Sequence, residues 1–148
     1  MTGGFRQMMP YILVLVGSGL GGMLRYALTR ATIPVSHGFP VGTVLINVAG
    51  SFVIGYFGTL TLHSGRYPAS ENVRTFIMIG LCGGFTTFSS FSLQTLDLMR
   101  SGAWARALLN VVLSVVLCVG AVAAGHALAY QTTHDQAIAE TAEEEYTG

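Results

Sequence analysis

Charged residues are scarce in this sequence. Only 9% of its 148 residues are charged, while 51% are hydrophobic, and a soluble domain carries about 25% charged residues. The mean hydropathy is +0.59. Because so few charges cannot cover a soluble surface, the composition predicts an integral membrane protein.

Lysine is absent, and the remaining charges cancel. The seven basic residues are all arginine, and seven acidic residues bring the formal net charge to zero. A nucleic-acid-binding protein needs a basic surface, so there is no electrostatic case for such a partner. We expect neither a nucleic-acid partner nor an enzyme.

Cysteine is also rare. Cys82 and Cys118 are the two cysteines, and both lie in apolar segments. A disulfide between them is one reading; we expect buried thiols instead, because free cysteine behaves as a small apolar residue.

Long apolar segments dominate what remains. A helical span needs about 20 residues, and the segments that meet this length are 10–29, 41–62, 73–99 and 104–130. Short connections make neighbouring spans antiparallel. We therefore expect an all-α membrane protein with one four-helix transmembrane domain over residues 1–130. The polar, acidic residues 131–148 are expected to form a disordered tail.

The third span has an unusual composition. Gly83 and Gly84 favour a break in the helix, and Thr86 and Thr87 place hydroxyls beside the backbone groups that a break would free. Irregular backbone at membrane depth persists only where it is buried in protein or lines a polar cavity. In transporters, such breaks are where ions and substrates bind. The segment predicts a broken third helix with an ion site.

Beyond the break, Phe88 and Phe91 share a helix face and are interleaved with hydroxyl residues. A phenylalanine stripe is usually lipid contact or packing, but a lipid-facing stripe has no need of the hydroxyls of Thr87, Ser89 and Ser90. No acidic residue or lysine lies in the middle of any span, although proton-coupled pumps and cation exporters usually depend on one. Hydroxyls, amides and the positive edges of phenyl rings suit an anion, which composition alone does not name.

Two further sets of polar residues have open interpretations. Asn47 in the second span could make an interhelical hydrogen bond or donate its amide to a transported anion. Asn110, Ser114 and Cys118, spaced by four in the fourth span, could join helices or line a pore.

Backbone carbonyls at the break have a second possible use. Carbonyls freed around Gly83 and Thr86 are the hard oxygen ligands that a small monovalent cation prefers. If two copies crossed at their breaks, they would supply about four such oxygens.

The arginines divide almost evenly between the two sides of the predicted spans. One side holds Arg6, Arg66 and Arg74, and the other holds Arg30, Arg100 and Arg106 with Arg25 close by. The positive-inside rule needs an imbalance to fix orientation. The sequence is therefore compatible with insertion in both orientations and with an antiparallel, dual-topology homodimer.

Three motifs, in this order, resemble the Fluc (CrcB) fluoride channels. They are GGMLRY at 21–26, GTVLINVAGSF at 42–52 and GLCGGFTTFSSFS at 80–92, and the resemblance covers all four spans. It implies an antiparallel dual-topology homodimer in the cell (inner) membrane. That dimer would have two fluoride pores and a central structural sodium ion (Na+).

The resemblance also implies roles for individual residues. Phe88 and Phe91 would face the pore with Asn47 as a donor beside them, and Thr87, Ser89 and Ser90 would place hydroxyls along the path. Gly83 and Thr86 would supply carbonyls to sodium. The polar track of the family's fourth helix would fall at Asn110, Ser114 and Cys118. The family often has a glutamate where this chain has Gln94.

Three functions follow as hypotheses. The first is a channel that passively exports fluoride and so relieves its toxicity. The second is a small dual-topology multidrug exporter, but that class needs a carboxylate in its first span and residues 10–29 contain none. The third is a scaffold protein of the membrane, which would explain the glycines but not Asn47 or the interleaved phenylalanines.

Overall fold

A computed structural model of the chain describes residues 2–62, 65 and 67–147, with the side chains of 7–62, 65 and 67–133. The described residues are helical or lie in short connections. The helices are α1 (Thr2–Thr32), α2 (Val41–Leu60), α3 (Glu71–Arg74), α4 (Gly83–Phe85), α5 (Phe88–Arg100) and α6 (Trp104–Thr147). A 3-10 turn at Ile33–Val35 follows α1, and a π-helix at Thr75–Cys82 joins α3 to α4.

Four helical stretches are long and apolar enough to cross a membrane. They are Gln7–Val35, Val41–Leu60, Glu71–Arg100 and Trp104–Thr133, so the prediction of four spans is confirmed. Large apolar side chains lie on the outside of the bundle, as Tyr11 and Leu15 show with 75% and 74% of their surfaces exposed. Apolar surface of this extent suits lipid or another protein, not water.

The third span starts at a side-chain cap. The Ser70 hydroxyl accepts the N–H of Val73 at 3.4 Å, which satisfies one of the free donors at a helix start. One turn later, Arg74 donates to the carbonyl of Gly58 at 3.0 Å and to the Thr61 hydroxyl at 2.6 Å. Because Gly58 and Thr61 lie at the end of α2, Arg74 joins the end of the second span to the start of the third.

Helix α1 packs very closely on the π-helix and α4. A Cβ atom added to Gly17 would lie 2.8 Å from the Phe76 carbonyl oxygen and 2.9 Å from the Cα of Gly80. The Ser18 hydroxyl donates to the Gly80 carbonyl at 3.4 Å across the same contact. Small residues allow such close approach between membrane helices, so the first span and the first half of the third form one packed pair.

Gly17→Ala is expected to destabilise this pair. The added methyl group would meet backbone atoms that cannot rotate away, and overpacking of this kind costs about 1–3 kcal/mol. Gly19→Ala is the matched control, because nothing lies within 4 Å of a Cβ at Gly19. Unfolding in detergent, followed by circular dichroism, should show a lower midpoint for Gly17→Ala only. Equal midpoints for both variants would contradict the close contact.

The other pair is formed by α2 and α6. A Cβ on Gly55 would meet the backbone of Val122, and one on Gly125 would lie 2.5 Å from the Phe52 carbonyl oxygen. Helix α5 packs mainly against α6 and only lightly against α2. This leaves room between α2, α5 and α6.

A tight turn connects α5 to α6. Gly102 has a φ of 77°, the left-handed conformation that glycine adopts at helix ends, and Ala103 donates to the Leu98 carbonyl at 2.9 Å. Helix α6 then continues to Thr147. The predicted boundary at residue 130 does not coincide with a helix end, and the separate character of residues 131–148 stays a prediction.

Candidate ion pathway

Two extended residues separate α4 from α5. Thr86 has φ −77° and ψ 158°, and Thr87 has φ −152° and ψ 109°. The sequence predicts the break at Gly83 and Gly84, but both residues are helical. Gly84 serves close packing instead, since a Cβ there would lie 2.7 Å from the Cα of Ser18. The extended backbone therefore begins at Thr86, two residues after Gly84, and not at the glycines.

Asn47 on α2 pairs with the backbone of Thr87. Its Oδ1 accepts the Thr87 N–H at 2.7 Å, and its Nδ2 donates to the Thr87 carbonyl at 3.1 Å. One side chain thus replaces both partners that a neighbouring strand would supply to an extended residue. The interhelical reading of Asn47 is confirmed, and a role as donor to an anion stays a prediction that would use the second amide hydrogen.

Several carbonyls lose their helical donors at this break, and those of Gly83 and Thr86 are among them. In a continuous helix, Thr87 N–H would donate to Gly83 and Ser90 N–H would donate to Thr86. Here the Thr87 N–H goes to Asn47, and the Ser90 N–H goes to the Thr87 hydroxyl oxygen at 3.1 Å. The carbonyls of Gly83 and Thr86, which the sequence selected as candidate cation ligands, are thereby released from these two bonds.

A cavity of about 340 Å³ lies beside the break. Among its lining residues are Asn47, Ser51, Thr86, Thr87, Phe88, Phe91, Ser114 and Cys118. The rings of Phe88 and Phe91 are 5.3 Å apart at an interplanar angle of 46°. Within the part of the chain that the structure describes, no charged residue lines this cavity; its polar side chains carry hydroxyls, one amide and one thiol.

Phe88 is the most open member of this set. In the single chain 79% of its surface is exposed, although its neighbours line the cavity wall. One chain therefore does not enclose the ring.

The three hydroxyl residues predicted for the ion path, Thr87, Ser89 and Ser90, differ in their position relative to the cavity. Ser89 and Ser90 do not line the cavity; both contact the Thr87 hydroxyl, at 3.2 and 3.0 Å between oxygens. Thr87 itself is buried and lines the cavity. Of these three residues, Thr87 alone lines the cavity, and a position of Ser89 and Ser90 along an ion path stays a prediction.

The polar row of α6 divides in the same way. Ser114 and Cys118 line the cavity, whereas Asn110 is 1% exposed and donates to the Thr95 hydroxyl at 2.8 Å. Cys82 and Cys118 are both free thiols. The expectation of buried thiols is confirmed for Cys82, whereas Cys118 is only partly buried. A spacing of four does not by itself distinguish the buried Asn110 from the two residues that line the cavity.

The sequence pattern places two further residues, Ser51 and Thr95, on the same helix faces as predicted site residues but gives them no role. Ser51 lines the cavity one turn after Asn47, and the spacing of four from Asn47 was the signal for it. Thr95 receives the bond from Asn110, and its position seven residues after Phe88 placed it on the phenylalanine face.

A second, separate cavity of about 420 Å³ lies along α2 and α5. Thr43, Gln94 and Asp97 are among its lining residues. Gln94 Oε1 is buried and has no hydrogen-bond partner within the described part of the chain. Because Thr43 precedes Asn47 by one turn and Gln94 follows Phe91 by about one turn, the two cavities lie next to each other along α2 and α5.

The four helices and the cavity between them define a multi-pass helical membrane protein with polar groups between its spans. Residues 12–126 match the family described as "CrcB-like protein, Camphor Resistance (CrcB)". The chain belongs to the CrcB family.

Several relatives are close. The chain is 65% identical over 118 residues to the fluoride-specific ion channel FluC of Methylobacterium radiotolerans, covering 80% of this chain and 82% of the relative. It is 60% identical over 136 residues to the FluC of Gluconobacter oxydans, covering 90% and 94%. A third relative, the FluC of Methylocella silvestris, is 57% identical over 122 residues, covering 82% and 93%.

Proposed function

We propose that the protein is a fluoride-specific channel that lets fluoride leave the cell down its gradient. The relatives are named as fluoride-specific ion channels. The observation that carries the proposal is the uncharged cavity, in which Asn47 and Thr87 lie next to the Phe88–Phe91 pair. Neutral donors can replace part of an anion's hydration and still release it, which conduction requires.

The proposed physiological role is relief of fluoride toxicity. Hydrogen fluoride crosses membranes as a neutral acid and dissociates inside, so fluoride accumulates there. A passive pore in the cell (inner) membrane removes it without energy coupling. Passive flow needs no proton-carrying carboxylate, and among the described residues none lines the cavity beside the break.

The proposed functional unit is an antiparallel homodimer with two pores. The exposure of Phe88 in the single chain supports a second copy that completes the cavity, and the even division of arginines supports insertion in both orientations. A reporter fused to the C-terminus that is active on one side of the membrane only would contradict the dual topology.

A structural sodium ion fits the donor set at the break. The released carbonyls of Gly83 and Thr86 would hold it, and an antiparallel pair would supply about four oxygens. Bound there, sodium would fix the two breaks together and place positive charge near the anion route.

A small multidrug exporter is the other candidate, and one observation weighs against it. Its class needs a carboxylate in the first span, but the span Gln7–Val35 contains neither aspartate nor glutamate.

The deciding experiment is fluoride efflux from liposomes that contain the purified protein, followed with a fluoride electrode. We expect rapid release of fluoride and very little release of chloride. Phe88→Ile should slow fluoride release about tenfold, because losing an aromatic edge contact worth about 1.4 kcal/mol has that effect. Phe52→Ile is the control, since Phe52 lines neither cavity. Liposomes that retain fluoride would refute the proposal, and an unchanged rate for Phe88→Ile would remove Phe88 from the route.

A further inference from the structure

Helix α5 carries both cavity phenylalanines but buries little of itself. Of its residues, all of which the structure describes, only Thr95 is buried. Leu93 and Leu96 are 59% and 49% exposed. Apolar contact is non-directional, so packing within one chain does little to fix the rotation of α5 about its own axis, also where a second copy adds further apolar contact.

A directional contact exists at that buried residue. Asn110 of α6 donates from Nδ2 to the Thr95 hydroxyl oxygen at 2.8 Å, and this hydroxyl donates to the Phe91 carbonyl at 2.8 Å. Asn110 and Thr95 are 1% and 7% exposed. A longer contact of 3.5 Å runs from the Ser114 hydroxyl to Asn110 Oδ1. The amide of Asn110 is thus turned toward α5 and away from the cavity.

We propose that Asn110 is a positioning residue that sets the rotation of α5, and with it the direction of the Phe88 and Phe91 rings, through the Thr95 hydroxyl. Thr95 follows Phe91 by four residues and Phe88 by seven, so the three share a helix face. The Asn47–Thr87 pairing holds α5 at its start, and the Asn110–Thr95 bond holds it two turns later.

A small rotation is enough to matter. Side chains extend about 5–6 Å from a helix axis, so a turn of about 20° moves a ring by about 2 Å. A shift of that size separates an aromatic edge from an ion that it contacts. This inference rests on the proposed channel function, but the rotation itself can be measured without conduction.

The test uses single-channel recording of the reconstituted dimer with fluoride as the permeant ion. We expect Asn110→Ala and Thr95→Val each to lower the unitary current about fivefold, which corresponds to about 1 kcal/mol. The double variant should equal either single variant, because all three lack the same bond. Thr95→Ser, which keeps the hydroxyl, should restore the current.

Ser92→Ala is the matched control. The Ser92 hydroxyl donates to the Phe88 carbonyl at 2.9 Å, as Thr95 does to Phe91, but Ser92 is exposed and has no bond to α6 among the described residues. Its unitary current should equal that of the unaltered protein.

Other outcomes overturn the inference in different ways. A purely structural bond would reduce the number of active channels and leave the unitary current unchanged. A low current in Asn110→Ala with a normal current in Thr95→Val would mean that Asn110 acts on the ion itself. If Asn110→Ala does not fold, Thr95→Val, which keeps the shape of the side chain, decides the question.

A second measurement separates this inference from the channel proposal. With 4-fluorophenylalanine at position 91, the ¹⁹F chemical shift should move alike in Asn110→Ala and Thr95→Val and stay unchanged in Ser92→Ala. If the unaltered protein does not conduct but these shifts occur, the channel proposal fails and the positioning role stands. Unchanged shifts refute the positioning role.

Discussion

Asn47→Leu is expected to slow fluoride release about 100-fold, equivalent to a barrier increase of about 2.7 kcal/mol. Leucine has nearly the same size but removes the acceptor and the donor that Asn47 presents to Thr87. Leaving a buried backbone group without its partner costs about 1–3 kcal/mol. The extended conformation of Thr87 therefore loses its main support.

The chain has an alternative way to satisfy one of these groups. The Thr87 N–H can return to the Gly83 carbonyl, as in a continuous helix. That rearrangement would rotate Phe88 with respect to the cavity. It would also engage the Gly83 carbonyl, which is released in the unaltered protein. We therefore expect Asn47→Leu to form a folded protein with higher helix content that releases fluoride about 100-fold more slowly.

Liposome efflux and circular dichroism on the same preparation check this prediction. Asn72→Leu is the control for the substitution, because Asn72 is exposed at the start of the third span. If Asn47→Leu releases fluoride as fast as the control, Asn47 does not support the route.

The spans and part of the cavity could be predicted from sequence. Length and apolar composition were sufficient for four spans, because a bilayer imposes one minimum length on every helix. Asn47, Phe88 and Phe91 were selected because an amide or a hydroxyl-flanked aromatic pair is costly or unusual inside a membrane.

The position of the break could not be predicted from glycine content. Glycine permits both an irregular backbone and a close helix contact, and Gly84 is used for contact with Ser18. Which of the two applies depends on where α1 lies. The Thr86–Thr87 break depends on Asn47, which is 40 residues away in sequence.

For a related reason, the spacing of polar residues could not predict that the Asn110 side chain points toward α5. A spacing of four places residues on one face but does not say which neighbour that face meets. The row from Asn110 to Cys118 follows α6 from its contact with α5 into the cavity. The partner of each residue therefore changes along the row.

Removing sodium is expected to lower the stability of the assembled protein. The expected loss of about 2.7 kcal/mol is as large as the increase in the barrier to fluoride release expected for Asn47→Leu. A ligand that binds only the folded state, present at 100 times its dissociation constant, adds about 2.7 kcal/mol of stability. Protein purified with N-methylglucamine in place of sodium should therefore show a lower unfolding midpoint, more monomer and slower fluoride release. Adding sodium back should reverse these changes, while potassium at equal ionic strength serves as the control.

The two predictions can be linked in a single comparison. If sodium binds at the released carbonyls, a variant that returns the Thr87 N–H to Gly83 competes with the ion for the same oxygen. Asn47→Leu should then gain little stability from sodium, whereas Asn72→Leu should gain as much as the unaltered protein. An equal gain in stability from sodium in both variants would mean that the ion binds elsewhere. No gain in either variant or in the unaltered protein would mean that the protein has no structural sodium ion. The release of the Gly83 carbonyl and the extended conformation of Thr87 are both consequences of the hydrogen bond from the Thr87 N–H to Asn47, so the cation site and the anion route are expected to fail together.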